Sequence, residues 1–85
     1  MSQDEIDVRT DALTDAVQVL AGAFPNLRAD HRPNGADWYR WLIYNDKTSA
    51  VVGVVRLDSS AESLNLPETK VLLRSRAMDL LREAA

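Results

Sequence analysis

Residues 38–58, WYRWLIYNDKTSAVVGVVRLD, determine the fold that we expect for this chain. Two runs within them, 38–44 and 50–57, are rich in aromatic and β-branched residues, which favour strands. The polar segment 45–49 joins the runs and predicts the turn of a β-hairpin. Both runs carry apolar side chains on both faces, so a hairpin covered on one face would leave apolar groups on the other.

A third strand is expected just before the hairpin. Residues 26–32 alternate apolar or aromatic side chains with charged ones, which is typical of a half-exposed strand at a sheet edge. Pro33-Asn34-Gly35 follows and predicts a turn, because proline fixes one backbone dihedral and Asn-Gly tolerates positive φ. The three strands should therefore form an antiparallel meander.

Amphipathic helices flank the meander on both sides. The first is expected from a capping box of Ser2 and Glu5 to about Phe24, with Gly22 and Pro25 ending it. Its expected core stripe is Ile6, Leu13, Val17, Leu20 and Phe24, with Ala16 beside it. The second helix should begin near Pro67, with Leu72 and Met78 outside its core stripe. That stripe is Leu66, Leu73, Ala77, Leu80, Leu81 and Ala84. The sequence predicts one α+β domain over residues 1–85, in the order α-β-β-β-α.

Which sheet face is buried depends on the register of the hairpin, since a shift of one residue exchanges the faces. We expect Trp41 to lie over Gly53, where the missing side chain leaves room. The inward residues would then be Tyr39, Trp41, Ile43, Val51 and Val55. The outward residues would be Trp38, Arg40, Leu42, Tyr44, Val52, Val54 and Arg56, with Arg28 and Arg32 beside them.

Composition excludes several classes of protein. The 85 residues contain no cysteine, so disulfides and thiolate metal sites are impossible. The acidic start does not resemble a signal peptide, and no apolar run approaches the roughly 20 residues of a membrane span. We therefore expect a cytoplasmic protein without membrane contact.

The charge of the chain is unevenly distributed. The net charge of -3 disfavours non-specific nucleic-acid binding. Residues 1–24 carry five acidic side chains against Arg9, whereas residues 25–57 carry five basic side chains against three acidic ones. Eight of the ten basic residues are arginine, which makes bidentate and stacked contacts.

No catalytic constellation is visible in the sequence. His31 is the only histidine, and strand alternation places it and Asp30 on opposite faces. Ser59 and Ser60 have no base at a useful spacing, and no glycine-rich loop could hold phosphate. We therefore expect no enzyme, no catalytic, cofactor-binding or metal-binding residues, and no cofactor.

The order α-β-β-β-α is also that of the double-stranded RNA-binding domain, which suggests a nucleic-acid function. Members of that family hold phosphates with lysines at the start of the last helix, where this chain has Pro67, Glu68, Thr69 and only Lys70. The first helix, which touches RNA in that family, is acidic here. We assign no family on this basis.

Two surfaces are expected to carry the function. The first is an acidic stripe on the first helix, which should bind a basic protein surface and consists of Asp4, Asp7, Asp11 and Asp15. The second is the outward sheet face, for which a homodimer interface or burial under a helix on each face is expected. Nucleic-acid binding by stacking of bases on aromatic residues among arginines is the alternative. The expected function is thus a small acidic adaptor or inhibitor.

Overall fold

The computed structural model describes residues 3–22, 26–35, 39–58, 61 and 63–84. Its elements are α1 (Gln3–Ala21), β1 (Leu27–His31), β2 (Arg40–Asn45), β3 (Val51–Arg56) and α2 (Leu66–Ala84). The strands form one antiparallel sheet in the order β1-β2-β3, so β2 is central. This confirms the predicted α-β-β-β-α order and the meander.

Helix α1 is held to the core by the apolar stripe that its sequence predicts. Fully buried Ile6, Leu13 and Val17 face the sheet, and Leu20 packs at the edge of the core. Gly22 follows the last helical residue with φ of 57°, a conformation that costs glycine little because it has no Cβ. The expected cap at Ser2 and the expected core residue Phe24 lie outside the described residues.

Helix α2 begins with a capping box formed by Asn65 and Glu68. The Asn65 Oδ1 atom accepts a hydrogen bond from the Glu68 amide at 2.9 Å, and Glu68 Oε1 accepts one from the Asn65 amide at 3.5 Å. Leu73 and Ala77 are buried, and Leu80 and Leu81 pack against the core. Leu72 also packs there, so its exclusion from the stripe was wrong, whereas Met78 is 40% exposed as expected.

Both helices cover the same face of the sheet. Helix α1 contacts β1, α2 contacts β3, and the two helices contact each other. The strand residues buried beneath them are Leu27, Ala29, Tyr39, Trp41, Ile43, Val55 and Leu57. One helix on each face would bury the alternate residues as well, so that arrangement is wrong. Among the described elements, none covers the opposite face of the sheet, which we call the open face.

Polar side chains of α1 bond to the strands next to it. The Ala29 amide donates to Thr14 Oγ1 at 3.1 Å, and Gln18 Nε2 donates to the Leu27 carbonyl at 3.2 Å. Trp41 Nε1 donates to Thr10 Oγ1 at 2.9 Å. Side chains of α1 therefore provide hydrogen-bond partners for backbone groups of β1. Because β1 is an edge strand, these groups would otherwise be open to pairing with a strand of another chain.

A β-bulge in β3 changes which residues face the core. Ile43 is opposite Gly53, but the next residue of β2, Tyr44, is opposite Val51, so Val52 is an extra residue. The predicted burial of Tyr39, Trp41, Ile43 and Val55 is confirmed. The bulge shifts the alternation by one residue, and both predictions beyond it were wrong: Val51 is 59% exposed, and Val52 packs against the core.

The expected contact between Trp41 and Gly53 was also wrong. Trp41 is opposite Val55, and the space beside Gly53 is filled from α2 by Leu80. Gly53 thus leaves room for a helix side chain instead of an aromatic ring on the neighbouring strand.

Candidate interaction surfaces

The centre of the open face is apolar. Leu42 lies between Asp30 of β1 and Val54 of β3, and Tyr44 lies between Arg28 and Val51. Leu42, Tyr44 and Val54 are half-buried among their neighbours, and Val51 is exposed. These side chains form a small apolar patch on β2 and β3, with charged residues around it.

Two of the arginines near this patch are paired with carboxylates. Arg28 Nε lies 2.5 Å from Asp46 Oδ2, and Arg32 Nε lies 2.7 Å from Asp30 Oδ2. The hydrogen bond from Arg28 to Asp46, together with their Coulombic attraction, raises the pKa of Arg28. Both pairs are exposed to water and contribute little to stability, but they neutralise charge beside the patch.

Arg40 and Arg56 lie directly opposite each other at one end of the open face. The Arg40 Nη1 atom donates to the Arg32 carbonyl at 2.8 Å, and in the described part of the chain its buried Nε has no hydrogen-bond partner. The structure thus brings together five of the seven predicted residues of this face. They are Arg40, Leu42, Tyr44, Val54 and Arg56. Val52 packs toward the core, and Trp38 lies outside the described residues.

The predicted acidic stripe is exposed along its whole length. Asp4, Asp7, Asp11 and Asp15 follow at spacings of three and four residues, which place them on one side of α1. Asp7 accepts a hydrogen bond from Gln3 Nε2 at 3.0 Å. The stripe lies on the side of α1 that points away from the core, so it and the open face are on opposite sides of the domain.

A shallow groove between the two helices is a feature that the sequence analysis missed. Its walls are formed by Ala12, Asp15, Ala16 and Val19 of α1 and by Lys70 and Arg74 of α2. A second depression lies near the beginning of both helices and is lined by Asp4, Glu5, Val8, Arg9 and Leu66. The signal in the sequence is an apolar row on α1 beside the core stripe, whose ends are the exposed residues Val8 and Val19.

His31 and Asp30 occupy opposite faces of β1, as the alternation predicts. His31 is opposite Trp41, and their rings are tilted with centroids 5.8 Å apart, whereas Asp30 is opposite Leu42 on the open face. Over the described ranges, no three histidine, aspartate or glutamate side chains gather as they would around a metal ion. In the same ranges, no helix is long and apolar enough to cross a membrane.

No protein-family model matches the chain, and neither does any curated protein or solved structure with which it was compared. The fold and the exposed surfaces therefore define only a class: a small α+β domain with a two-helix layer on one face of a three-stranded sheet.

Proposed function

We propose that the chain is a non-enzymatic protein-interaction module, a small acidic adaptor or inhibitor. It self-associates through the open face and binds a basic protein surface through the acidic stripe. The observation that carries this proposal is the packing of both helices on one side of the sheet, which leaves Leu42, Tyr44 and Val54 without a covering layer among the described elements. An apolar patch with a polar border is typical of an interaction surface.

A second copy of the chain is the partner that fits the open face. Much of the charge beside the patch is already neutralised by the pairs of Arg28 and Arg32, which favours contact with another largely neutral surface. A two-fold axis parallel to β2 would set the apolar centres of two copies against each other. It would also place the β1 edge of one copy, with Asp30, over the β3 edge of the other, with Arg56.

Light scattering tests the self-association. At about 100 µM, far above a micromolar dissociation constant, the mass should be twice that of the 9.5 kDa chain. Val54→Asp should give the monomer, because it would bury a charge in the interface. Val71→Asp is the matched control: Val71 is 71% exposed on α2, away from the open face, so this change should leave the dimer intact. A monomeric unmodified chain at this concentration would overturn the proposed dimer.

Nucleic-acid binding by the open face is a second candidate function. It is supported by Tyr44, which lies beside Arg28 in a sheet face that also carries Arg40 and Arg56. Aromatic side chains among arginines can stack on bases. Affinity for an oligonucleotide at low salt that is lost as the salt concentration rises would favour this function over the dimer. Absence of such affinity at low salt would eliminate it.

The cytoplasm is the compartment that we propose for this activity. The support is a sequence without cysteine, which suits a reducing environment. Fractionation of cells that produce the full chain tests the assignment, and recovery with the membrane or secreted fraction would contradict it.

A further inference from the structure

Large apolar side chains are exposed mainly on the helix layer. Of the five that are most exposed in the described residues, four lie on the helices: Val8 and Val19 on α1, and Val71 and Met78 on α2. Val19 is 69% exposed although it lies within a well-formed helix. Water contact with such side chains is unfavourable, so a partner that covers them would gain free energy.

Apolar residues of α1 in and beside the groove form one row along the helix. Val8, Ala12, Ala16 and Val19 follow at spacings of four, four and three residues, which keep them on one side of the helix. Because alanine side chains are short, the surface is depressed at Ala12 and Ala16, in the middle of the row. The larger side chains of Val8 and Val19 stand at its two ends. At 1.5 Å per residue the row is about 16 Å long, which is three turns of a helix. Its shape suits a helix that lies along it with apolar side chains turned inward.

Charge determines which helix fits. The acidic stripe runs beside the apolar row on α1, and the opposite wall carries Lys70 and Arg74. In the described part of the chain, no ion pair within 4.0 Å joins Asp15 to either of these cations. Asp15 on the α1 wall and Lys70 and Arg74 on the α2 wall are therefore available to an occupant. The other three aspartates of the acidic stripe are exposed on α1 beside its wall and add negative charge there.

We propose that the partner segment is a basic amphipathic helix that lies in the groove between α1 and α2. Its apolar side packs on Ala12, Ala16 and the flanking valines, and its basic side faces the acidic stripe. A neutral or acidic side faces Lys70 and Arg74. This inference rests on the proposed function and specifies the kind of basic surface that the stripe recognises.

The test uses a synthetic peptide with leucine at i, i+3, i+4 and i+7, lysine on the side that faces the acidic stripe and glutamine on the side that faces Lys70 and Arg74. It is added to the isotope-labelled full chain in an NMR titration. A peptide of the same composition, scrambled so that it has no apolar side, is the control. The amphipathic peptide should shift the amide signals of residues 8–19 and of Lys70 and Arg74, and it should bind about tenfold more tightly than the control. Equal affinities, or shifts confined to the sheet, would overturn the inference.

Val19→Ser should weaken binding of the amphipathic peptide by about tenfold, the equivalent of losing most of one buried valine contact. Val71→Ser is the matched control, because Val71 is as exposed as Val19 but does not line the groove. Both residues are on the surface, so neither change should affect folding. If Asp11→Asn with Asp15→Asn weakens both peptides while Val19→Ser weakens neither, the helix inference fails and the acidic stripe remains a binding surface. If neither peptide binds, both proposals for this side of the domain fail.

Discussion

Leu80 of α2 fills the space in which a side chain at Gly53 of β3 would stand. A Cβ atom at Gly53 would lie only 2.4 Å from Leu80 Cδ1, closer than any normal contact between carbon atoms. Gly53 faces the helices because it is opposite the buried residue Ile43. The missing side chain therefore lets α2 approach the sheet closely.

Gly53→Ala should lower the free energy of unfolding by about 1 kcal/mol. Overpacking costs about 1–3 kcal/mol, and the reduced entropy of the unfolded chain returns about 0.4–1 kcal/mol. Urea unfolding followed by circular dichroism measures the change. In a Leu80→Ala background the same substitution should be neutral or stabilising, because the clash is gone. Equal effects in the two backgrounds would show that Leu80 is not the cause.

The antiparallel pairing of the strands could be predicted from the sequence more completely than the sheet face to which each strand residue points. Alternation along residues 26–32 and the aromatic and valine runs specify three antiparallel strands, and the burial of Trp41 and Ile43 follows from one choice of register. The bulge does not follow, because nothing in a run of valines shows where an extra residue enters. As a result, the faces of Val51 and Val52 were interchanged in the sequence analysis.

The sheet face on which the two helices pack could not be predicted from the sequence either. The core stripes of α1 and α2 are visible as spacings of three and four residues, but a stripe does not say which sheet face it covers. That choice depends on contacts between residues far apart in the sequence, such as that of Leu80 with Gly53. The acidic stripe could be predicted because it needs only one helix, whereas the groove could not, because it needs two packed helices.

Thr10 should be important for stability through its bond to the fully buried Trp41. Thr10→Val keeps the shape of the side chain but leaves the indole N–H, which donates to Thr10 Oγ1, without an acceptor. An unsatisfied buried donor costs about 1–3 kcal/mol, so the midpoint of urea unfolding should fall accordingly. Thr10→Ser keeps the hydroxyl and should therefore lose clearly less stability than Thr10→Val. If the two variants are equally stable, the bond contributes nothing measurable.

Asn65→Ala should destabilise α2 by about 1 kcal/mol, the usual cost of losing an N-cap side chain. The variant removes the acceptor of the Glu68 amide hydrogen bond. Thermal unfolding measures the loss, and Asn65→Asp is the control that keeps an acceptor at the same position. If Asn65→Asp loses as much stability as Asn65→Ala, the loss is not caused by removal of the N-cap. The spacing of Asn65 and Glu68 is readable in the sequence as a helix start.

Asp11→Asn with Asp15→Asn should leave the domain as stable as before, or slightly more stable, while weakening its binding to a basic partner. All four carboxylates of the stripe are exposed and lie three or four residues apart, where like charges repel by about 0.2–0.5 kcal/mol per pair. The helix dipole favours acids in the first turn, such as Asp4, but its help fades before Asp11. Thermal unfolding should therefore show an unchanged or raised midpoint.

The binding half of this prediction needs a partner, which a pull-down with mass spectrometry from the native host can supply. Asp58→Asn with Asp79→Asn is the matched control, because it removes the same charge from exposed positions outside the stripe. At physiological salt the variant in the stripe should bind more weakly than the control variant, since only the stripe faces the partner. If both variants bind as well as the unmodified chain, the four aspartates serve only to keep the helix surface solvated.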